Sequence, residues 1–594
     1  MLFRSGALIL LLASCRAPSA LESLADEELC APGSVDASAI LLPRPRYLGR
    51  LSAPAPLSSP EISLSGSLSL PSFPMLVKAS GLEIGRRGLL LEALGPESFD
   101  AVSDRCKVTI PDSPEAYFLA TVDRPEGPVA VIVGSERAGA RATSLLAAIL
   151  SDGFREAFVV DAPTQPIRGI LEGFYGPPWS PEERLEMIEL AWRTRMNTYV
   201  WAPKNVLASR LLWRLGYGDE ELASLASMAN LGDQLGVEIC ALLSPGIGVA
   251  YSSAEDRAIA LEKLELFASL GARCVGLAFD DIDRSLREED DAWYSGSLAQ
   301  AQVELVNDIA GRFWASHPGA RFGFVPTDYS SRAMESHPEY VEAIEAALSD
   351  EIFVGWTGPE IAAEAISATD LTRAAEALGR SPVVGDNYPV VDGDREHGAI
   401  QLGAVRRRDA QAVREAGGWV SNGMPLPLAS QLALATVAEL TWDPASYEPD
   451  AAAGRSREFL APAHAAELEL LTDASAPGLF HDGSGLERQV NEYLATYPEP
   501  HAELTSTLSR WTALPARLAP SGRLGEELRP WTKQLASYGQ LALQLLELTH
   551  GDTPAAELLA PLKREAAELE ASGVRVTEQA PRLVRELLRR LAPS

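Results

Sequence analysis

The chain has 594 residues, of which 51 are Lys or Arg and 82 Asp or Glu, a formal charge of −31 with 46% apolar content. A chain this acidic lacks the Lys and Arg clusters that nucleic acid or an anionic membrane surface demands of a partner, and its apolar content is that of a folded protein. The length allows several domains, or one large barrel with attachments.

Residues 1–15, MLFRSGALILLLASC, place one basic residue, a short apolar run and small residues ahead of a cysteine. The run is too short to span a bilayer and has the form of a signal h-region. Leu12-Ala13-Ser14-Cys15 resembles a bacterial lipoprotein box, in which cleavage leaves Cys15 as the acylated first residue. An ordinary secretory signal with a chance cysteine is the alternative. Both imply export. The first implies a chain anchored by lipid in the cell envelope, at the outer membrane or in the periplasm, that meets the membrane only through Cys15.

Residues 16–60 are rich in Pro, Ala, Ser and Leu with weak periodicity, and read as a tether. From 61 to 163, strand-like runs such as YFLATVD and PVAVIVG mix with the helical stretch ARATSLLAAILSDG, the pattern of an α+β domain. Residues 164–446 repeat another unit, an apolar run that ends in polar or glycine residues and leads into a helical stretch. Eight such runs (RGILEGFYG, TYVWAPK, EICALLSPG, VGLAFDD, RFGFVPTDY, IFVGWTG, PVVGDNYP, GWVSNGM) predict a (β/α)8, or TIM, barrel, within an overall α/β class. Residues 447–594 carry apolar side chains at three and four spacing and predict a helical bundle against the barrel, with an interaction module as the alternative. Cys30, Cys106, Cys240 and Cys274 are too few for a disulfide framework and show no zinc spacing, so Cys240 and Cys274, in apolar strand-like runs, are expected as buried free thiols.

In a TIM barrel the active site forms at the C-terminal ends of the strands. Those ends here carry Glu172, Tyr175, Lys204, Asp280, Asp281, Asp328, Tyr329, Trp356, Asn387 and Asn422. Carboxylates with aromatic and amide side chains around a barrel mouth suggest glycoside hydrolysis. Two acids on opposite sides of a scissile bond are the usual arrangement, and adjacent Asp280 and Asp281 fit that poorly. They fit a substrate-assisted reaction better, in which the sugar's own 2-acetamido oxygen attacks the anomeric carbon. One Asp then accepts the acetamide N–H, while the other protonates the leaving oxygen and later deprotonates water.

The ordered set RGILEGFYGPPWS, MNTYVWAPK, SPG, FDDI, VPTDY, WTGP, DNYPVVD and SNGMPLPLASQLALATVAELTW resembles glycoside hydrolase family 84. These are the bacterial and eukaryotic β-N-acetylglucosaminidases often called O-GlcNAcases, some historically named hyaluronidases. The resemblance is strong over about residues 165–445. It implies a retaining exo-β-N-acetylglucosaminidase whose partner is a glycoconjugate with terminal β-GlcNAc, and it requires no metal or other cofactor. By the same resemblance Asp280 orients the acetamide and Asp281 is the general acid and base. Tyr329 bonds near the acetamide oxygen, Lys204, Asn387, Asp392 and Asn422 bond sugar hydroxyls, and Gly173 brings a backbone carbonyl close. Tyr175 and Trp356 are candidate aromatic walls.

The chain departs from the family pattern at Gly385, where an aromatic is usual, at Asn422-Gly423-Met424 for N-P-M, and in the stretch NVLASRLLWR after Lys204. The alternatives are a catalytically silent glycan-binding lipoprotein and a hyaluronan-degrading endo-hexosaminidase. The second is opposed by the net charge, since hyaluronan is a polyanion.

Overall fold

The computed structural model describes residues 19–36, 41–393, 398–475, 485–549 and 556–592. Cys15 and the proposed signal segment lie outside the described residues. Two compact units divide the chain after Asp161, with residues 41–44 counted in the second.

The first unit is built on a mixed sheet. Its strands are β1 (Tyr47–Leu51), β2 (Glu61–Gly66), β3 (Glu83–Ile84), β4 (Gly88–Leu94), β5 (Tyr117–Val122), β6 (Val129–Gly134) and β7 (Ala157–Asp161), in the order β1-β7-β5-β6-β4-β2-β3. β5, β6 and β7 are buried on both faces and read as continuous apolar runs for that reason. For the described residues 19–36 and 45–60, the tether expected over 16–60 is corrected here. Leu21 and Leu29, on two short helices (Ala20–Ser23, Asp26–Cys30), and Leu24 between them share a core with Phe118, Val131 and Phe158. β1 pairs antiparallel with β7, and a disulfide joins Cys30 to Cys106 across a Cα–Cα distance of 5.0 Å. Composition concealed this because the three leucines are enough to bury a short helix while Pro, Ala and Ser dominate the count.

The second unit contains a closed barrel of eight parallel strands: β8 (Arg168–Glu172), β9 (Thr198–Trp201), β10 (Glu238–Leu243), β11 (Cys274–Ala278), β12 (Arg321–Val325), β13 (Ile352–Trp356), β14 (Val383–Asp386) and β15 (Gly418–Asn422). Helices follow the strands as the sequence pattern predicts. The helix Pro181–Arg193 starts on a Ser180–Glu183 capping box and buries Met187, Ile188, Leu190 and Ala191.

Side-chain alternation sorts each strand into an inward and an outward set. The barrel interior takes Val200 and Ala202, Cys240 and Leu242, Cys274, Val383 and Val420, with Leu171, Val325 and Phe353 packed against them. One of these sets comes from every strand, and this fixes which strand-end residues face the mouth. Cys240 and Cys274, expected as free thiols, are a disulfide instead. They are register partners on β10 and β11, both turned inward, with Cα atoms 4.3 Å apart.

After the barrel come eight helices among the described residues, from Pro449–Leu460 to Gln579–Leu591. Their core, with Leu471, Leu508, Leu535 and Leu587, is continuous with Met424, Ala429 and Leu432 at the barrel's last strand and helix. Glu527 reaches from the bundle to the N-terminus of the barrel helix Pro427–Trp442, where it accepts from the backbone of Leu428 (3.2 Å) and Ala429 (2.6 Å).

Candidate active site

Along β11 the inward set is Cys274, Gly276 and Ala278, so Asp280 continues it and faces the interior. Plain alternation would send Asp281 outward with Leu277 and Phe279. Asp281 instead has φ +54°, a left-handed conformation that Asp tolerates better than most residues. That single turn of the backbone lifts its carboxylate to the rim. The two adjacent acids therefore occupy different environments.

The Asp280 carboxylate is paired with the Lys204 ammonium through Oδ2, and Oδ1 is buried with no hydrogen-bond partner among the described residues. Burial pushes this carboxyl up, but Lys204 and the Arg210 guanidinium outweigh it and hold Asp280 below its ordinary value of 3.8. Asp281 is exposed, and each of its oxygens accepts a phenol. Tyr329 donates to Oδ1 at 2.6 Å and Tyr175 to Oδ2 at 2.9 Å. Both phenols are raised, first by burial and next by the Asp281 charge, so they stay protonated and act as donors.

The remaining candidates surround this pair. The Tyr175 backbone N–H donates to Asp392 at 2.6 Å, and burial raises the Asp392 carboxyl against that bond. The Gly173 N–H donates to Asn422 Oδ1 at 3.0 Å, Asn422 Nδ2 donates to Asn387 Oδ1 at 3.0 Å, and Asn387 Nδ2 donates to the Ile361 carbonyl at 2.7 Å. Gly173, Lys204, Asn387 and Asn422 all fall in the inward set of their strands. The structure thus brings together Asp280, Asp281, Lys204, Tyr175, Tyr329, Asp392, Asn387, Asn422 and Gly173. A hollow of about 210 Å3 adjoins Asp281 on its β12 side, lined by Ile282, Arg284, Asp328, Tyr329 and Ile361 among others.

Trp356 does not belong to this group, which corrects its reading as a wall of the mouth. It shares the outward set of β13 with Ile352 and Val354, is 1% exposed, and donates through Nε1 to Ser331 at 3.2 Å. Two other strand-end acids are engaged in ion pairs, Glu172 on the outward face and Asp328 in the lining of the hollow beside Asp281. Glu172 is bonded to Arg184 at 2.8 Å and to the Tyr199 phenol at 2.7 Å, and Asp328 pairs with Arg284 and lies 3.3 Å from His337. Gly423, the departure from N-P-M, is required by packing, because a Cβ there would lie 2.6 Å from the buried Trp179 ring. At Gly385 a Cβ would meet only Leu171, at 3.9 Å, so the inward wall at that strand is open.

Sequence reasoning missed Arg210. Its Nη2 donates to the Asp281 carbonyl at 3.1 Å, and its guanidinium lies 5.6 Å from the Tyr175 ring centroid. Nothing in NVLASRLLWR marks it, since it lies six residues past Lys204 in a loop whose path only the fold defines. Among the described residues no group of His, Cys, Asp and Glu could hold a metal ion, and no helix is long and apolar enough to cross a membrane.

Residues 168–473 match the family model described as β-N-acetylglucosaminidase. Over 277 residues the chain is 30% identical to the Protein O-GlcNAcase of Rattus norvegicus and to that of Mus musculus, covering 46% of this chain. The matched stretch spans only 29% of each of those relatives. Among solved structures, CpGH84B aligns over 93% of this chain and 100% of its own with a TM-score of 0.76 at 20% identity, a likeness of fold. An O-GlcNAc hydrolase of Thermobaculum terrenum, solved as a mutant, aligns over 72% of this chain and 94% of its own with a TM-score of 0.63 at 25% identity.

Proposed function

Since the chain belongs to the O-GlcNAcase-like β-N-acetylglucosaminidases of glycoside hydrolase family 84, we propose that it removes terminal β-linked GlcNAc from a glycoconjugate, with retention and through an oxazoline. The observation that carries this reading is the division of labour between Asp280 and Asp281. An ionised, inward carboxylate with one unpartnered buried oxygen suits an acetamide N–H, whose hydrogen bond orients the acetamide and offsets the positive charge that builds on it. As the acetamide oxygen bonds to C1, the C1–O bond breaks and Asp281, in its acid form, gives its proton to the leaving oxygen. In the second step Asp281 takes a proton from water, the water oxygen bonds to C1, and the oxazoline C1–O bond opens. Two inversions give retention.

Tyr329 and Tyr175 support Asp281 in this scheme by fixing the direction of its carboxylate at the rim. Asn387 and Asn422 each have amide groups bonded within the protein, and their remaining lone pairs, with Asp392 and Lys204, would meet sugar hydroxyls.

The test is hydrolysis of an aryl N-acetyl-β-D-glucosaminide beside its N-trifluoroacetyl analogue. Steep slowing with the weaker acetamide nucleophile, and loss of about 10²-fold or more in kcat for Asp281→Asn, is expected. No turnover together with no binding of a thiazoline that mimics the oxazoline would overturn the reading. The open wall at Gly385 would then mark a glycan-binding barrel.

A further inference from the structure

Of the thirteen large apolar side chains that the described residues leave exposed, four (Leu207, Leu211, Leu212 and Leu215) lie on one segment and two more (Tyr175 and Ile247) lie at or next to residues that its arginines contact. The four leucines come from the segment 205–218 between β9 and the next helix, and each is 47–57% exposed. The segment is not loosely held. Trp213, Ser209 and Arg210 within it are buried, the Ser244 N–H donates to Ser209 O at 2.9 Å, and Lys263 donates to Ala208 O at 2.6 Å. Arg214 pairs with Asp256 and donates to Gly248 O at 2.7 Å, which ties in the neighbouring Ile247. Apolar side chains held out in a group by a fixed backbone mark a surface that something covers.

The place of this surface identifies what covers it. Arg210, in the middle of the leucines, touches the Asp281 carbonyl and faces the Tyr175 ring, and the Tyr175 phenol bonds the Asp281 carboxylate. We propose that the segment receives the leaving group, and that this group is aliphatic: the substrate is GlcNAc linked to a hydrocarbon-rich aglycone. The inference rests on the hydrolase reading above, since it is the covalent bond broken at Asp281 that keeps the aglycone within reach. Both cations of the segment are engaged, Arg210 with the Asp281 carbonyl and Arg214 with Asp256. Neither is unpaired, and Arg287, which donates to the Gly248 carbonyl beside Ile247, is an exposed cation at the edge of this surface. The hollow on the other side of Asp281, lined by Ile282 and Ile361 as well as by the Arg284–Asp328 pair, is the competing route for an aglycone.

The experiment uses the full chain and the alkyl β-N-acetylglucosaminides from methyl to octyl, whose leaving groups have similar basicity. The expected result is a rise in kcat/KM of about tenfold or more from methyl to octyl, carried by KM. The octyl-to-methyl ratio should fall to about two in Leu211→Asp and in Leu207→Ser combined with Leu215→Ser. The non-hydrolysable S-methyl and S-octyl thioglycosides read the same ratio as dissociation constants. If they show it in a protein without turnover, the surface stands and only the hydrolase reading fails. A flat series in both measurements overturns the proposal. So does a ratio that survives the leucine variants and collapses in Ile361→Asp, which would route the aglycone through the other hollow. Leucine variants that shift the sedimenting mass or the binding to phosphatidylglycerol vesicles, with the ratio intact, would overturn it in favour of a second copy or a bilayer.

Discussion

At the scale of single residues, the site works by giving two neighbouring carboxylates different surroundings. Asp280 owes its low pKa to Lys204 and Arg210 working against burial. A reaction that needs the ionised form is sustained above a depressed pKa and lost as pH falls through it. The acid limb contributed by Asp280 therefore lies below 3.8 in the native protein. In Lys204→Met the opposing effect of burial is left with Arg210 and a backbone hydrogen bond against it, and the acid limb of kcat/KM should climb by about one pH unit or more. A pH–rate profile on an aryl glucosaminide reads this directly, and an unmoved limb would show that Lys204 does not set the Asp280 charge. Asp281 depends on backbone conformation rather than on neighbouring cations. Had it continued the strand, it would point into the helix layer with Leu277 and Phe279, and no arrangement of tyrosines could bring it to the mouth.

At the scale of elements, the barrel's last helix is held by a side chain from the bundle. Glu527 accepts from two N–H groups at the start of Pro427–Trp442, yet burial pushes its carboxyl up from 4.5 to about 7, with Glu183 adding to the rise and the backbone bonds and Arg523 opposing it. A carboxyl whose folded pKa lies above its unfolded one contributes stability that is complete below the unfolded value and is lost as pH rises through the folded one. Stability of the second unit should therefore fall between pH 4.5 and about 7 by on the order of 2 kcal/mol from this group. Urea midpoints across that window measure it, and Glu527→Gln, which keeps an acceptor for the helix N–H groups, should flatten the slope. A slope unchanged by the substitution would assign the pH dependence elsewhere.

At the scale of the whole molecule, the charge of −31 and the N-terminal segment bear on where and on what the protein acts. We propose that it is exported and anchored by a lipid on Cys15. The natural chain should partition into Triton X-114 and incorporate radiolabelled palmitate, and Cys15→Ser should lose both; label retained in Cys15→Ser would remove the anchor from the proposal. Long-range repulsion between an acidic protein and a polyanion predicts negligible hydrolysis of hyaluronan at low salt beside ready hydrolysis of neutral β-GlcNAc glycosides. Reducing-end release from hyaluronan that appears only at high salt would bring the endo-hexosaminidase alternative back.

The sequence by itself determined the barrel, the bundle and the acid pair. Each is a local pattern: eight apolar runs with polar ends, apolar spacing of three and four, and two carboxylates at one strand end. It did not determine which strand-end residues share the mouth, because alternation assigns faces only once one residue on each strand is known to point inward. Glu172 and Trp356 looked equivalent to Lys204 and Asn422 in the chain, and the closed sheet turned them to the other side. Arg210 and the leucines around it lie in a loop without periodicity, and the contact of Arg210 with Asp281 exists only because Ser209, Ala208 and Arg214 are pinned by residues from the loop after β10 and from the following barrel helix. The disulfides and the folding of residues 19–36 into the first unit depend on partners far along the chain, such as Cys106, 76 positions from Cys30. Contacts of that separation leave no mark in local composition, and only the tertiary structure could decide them.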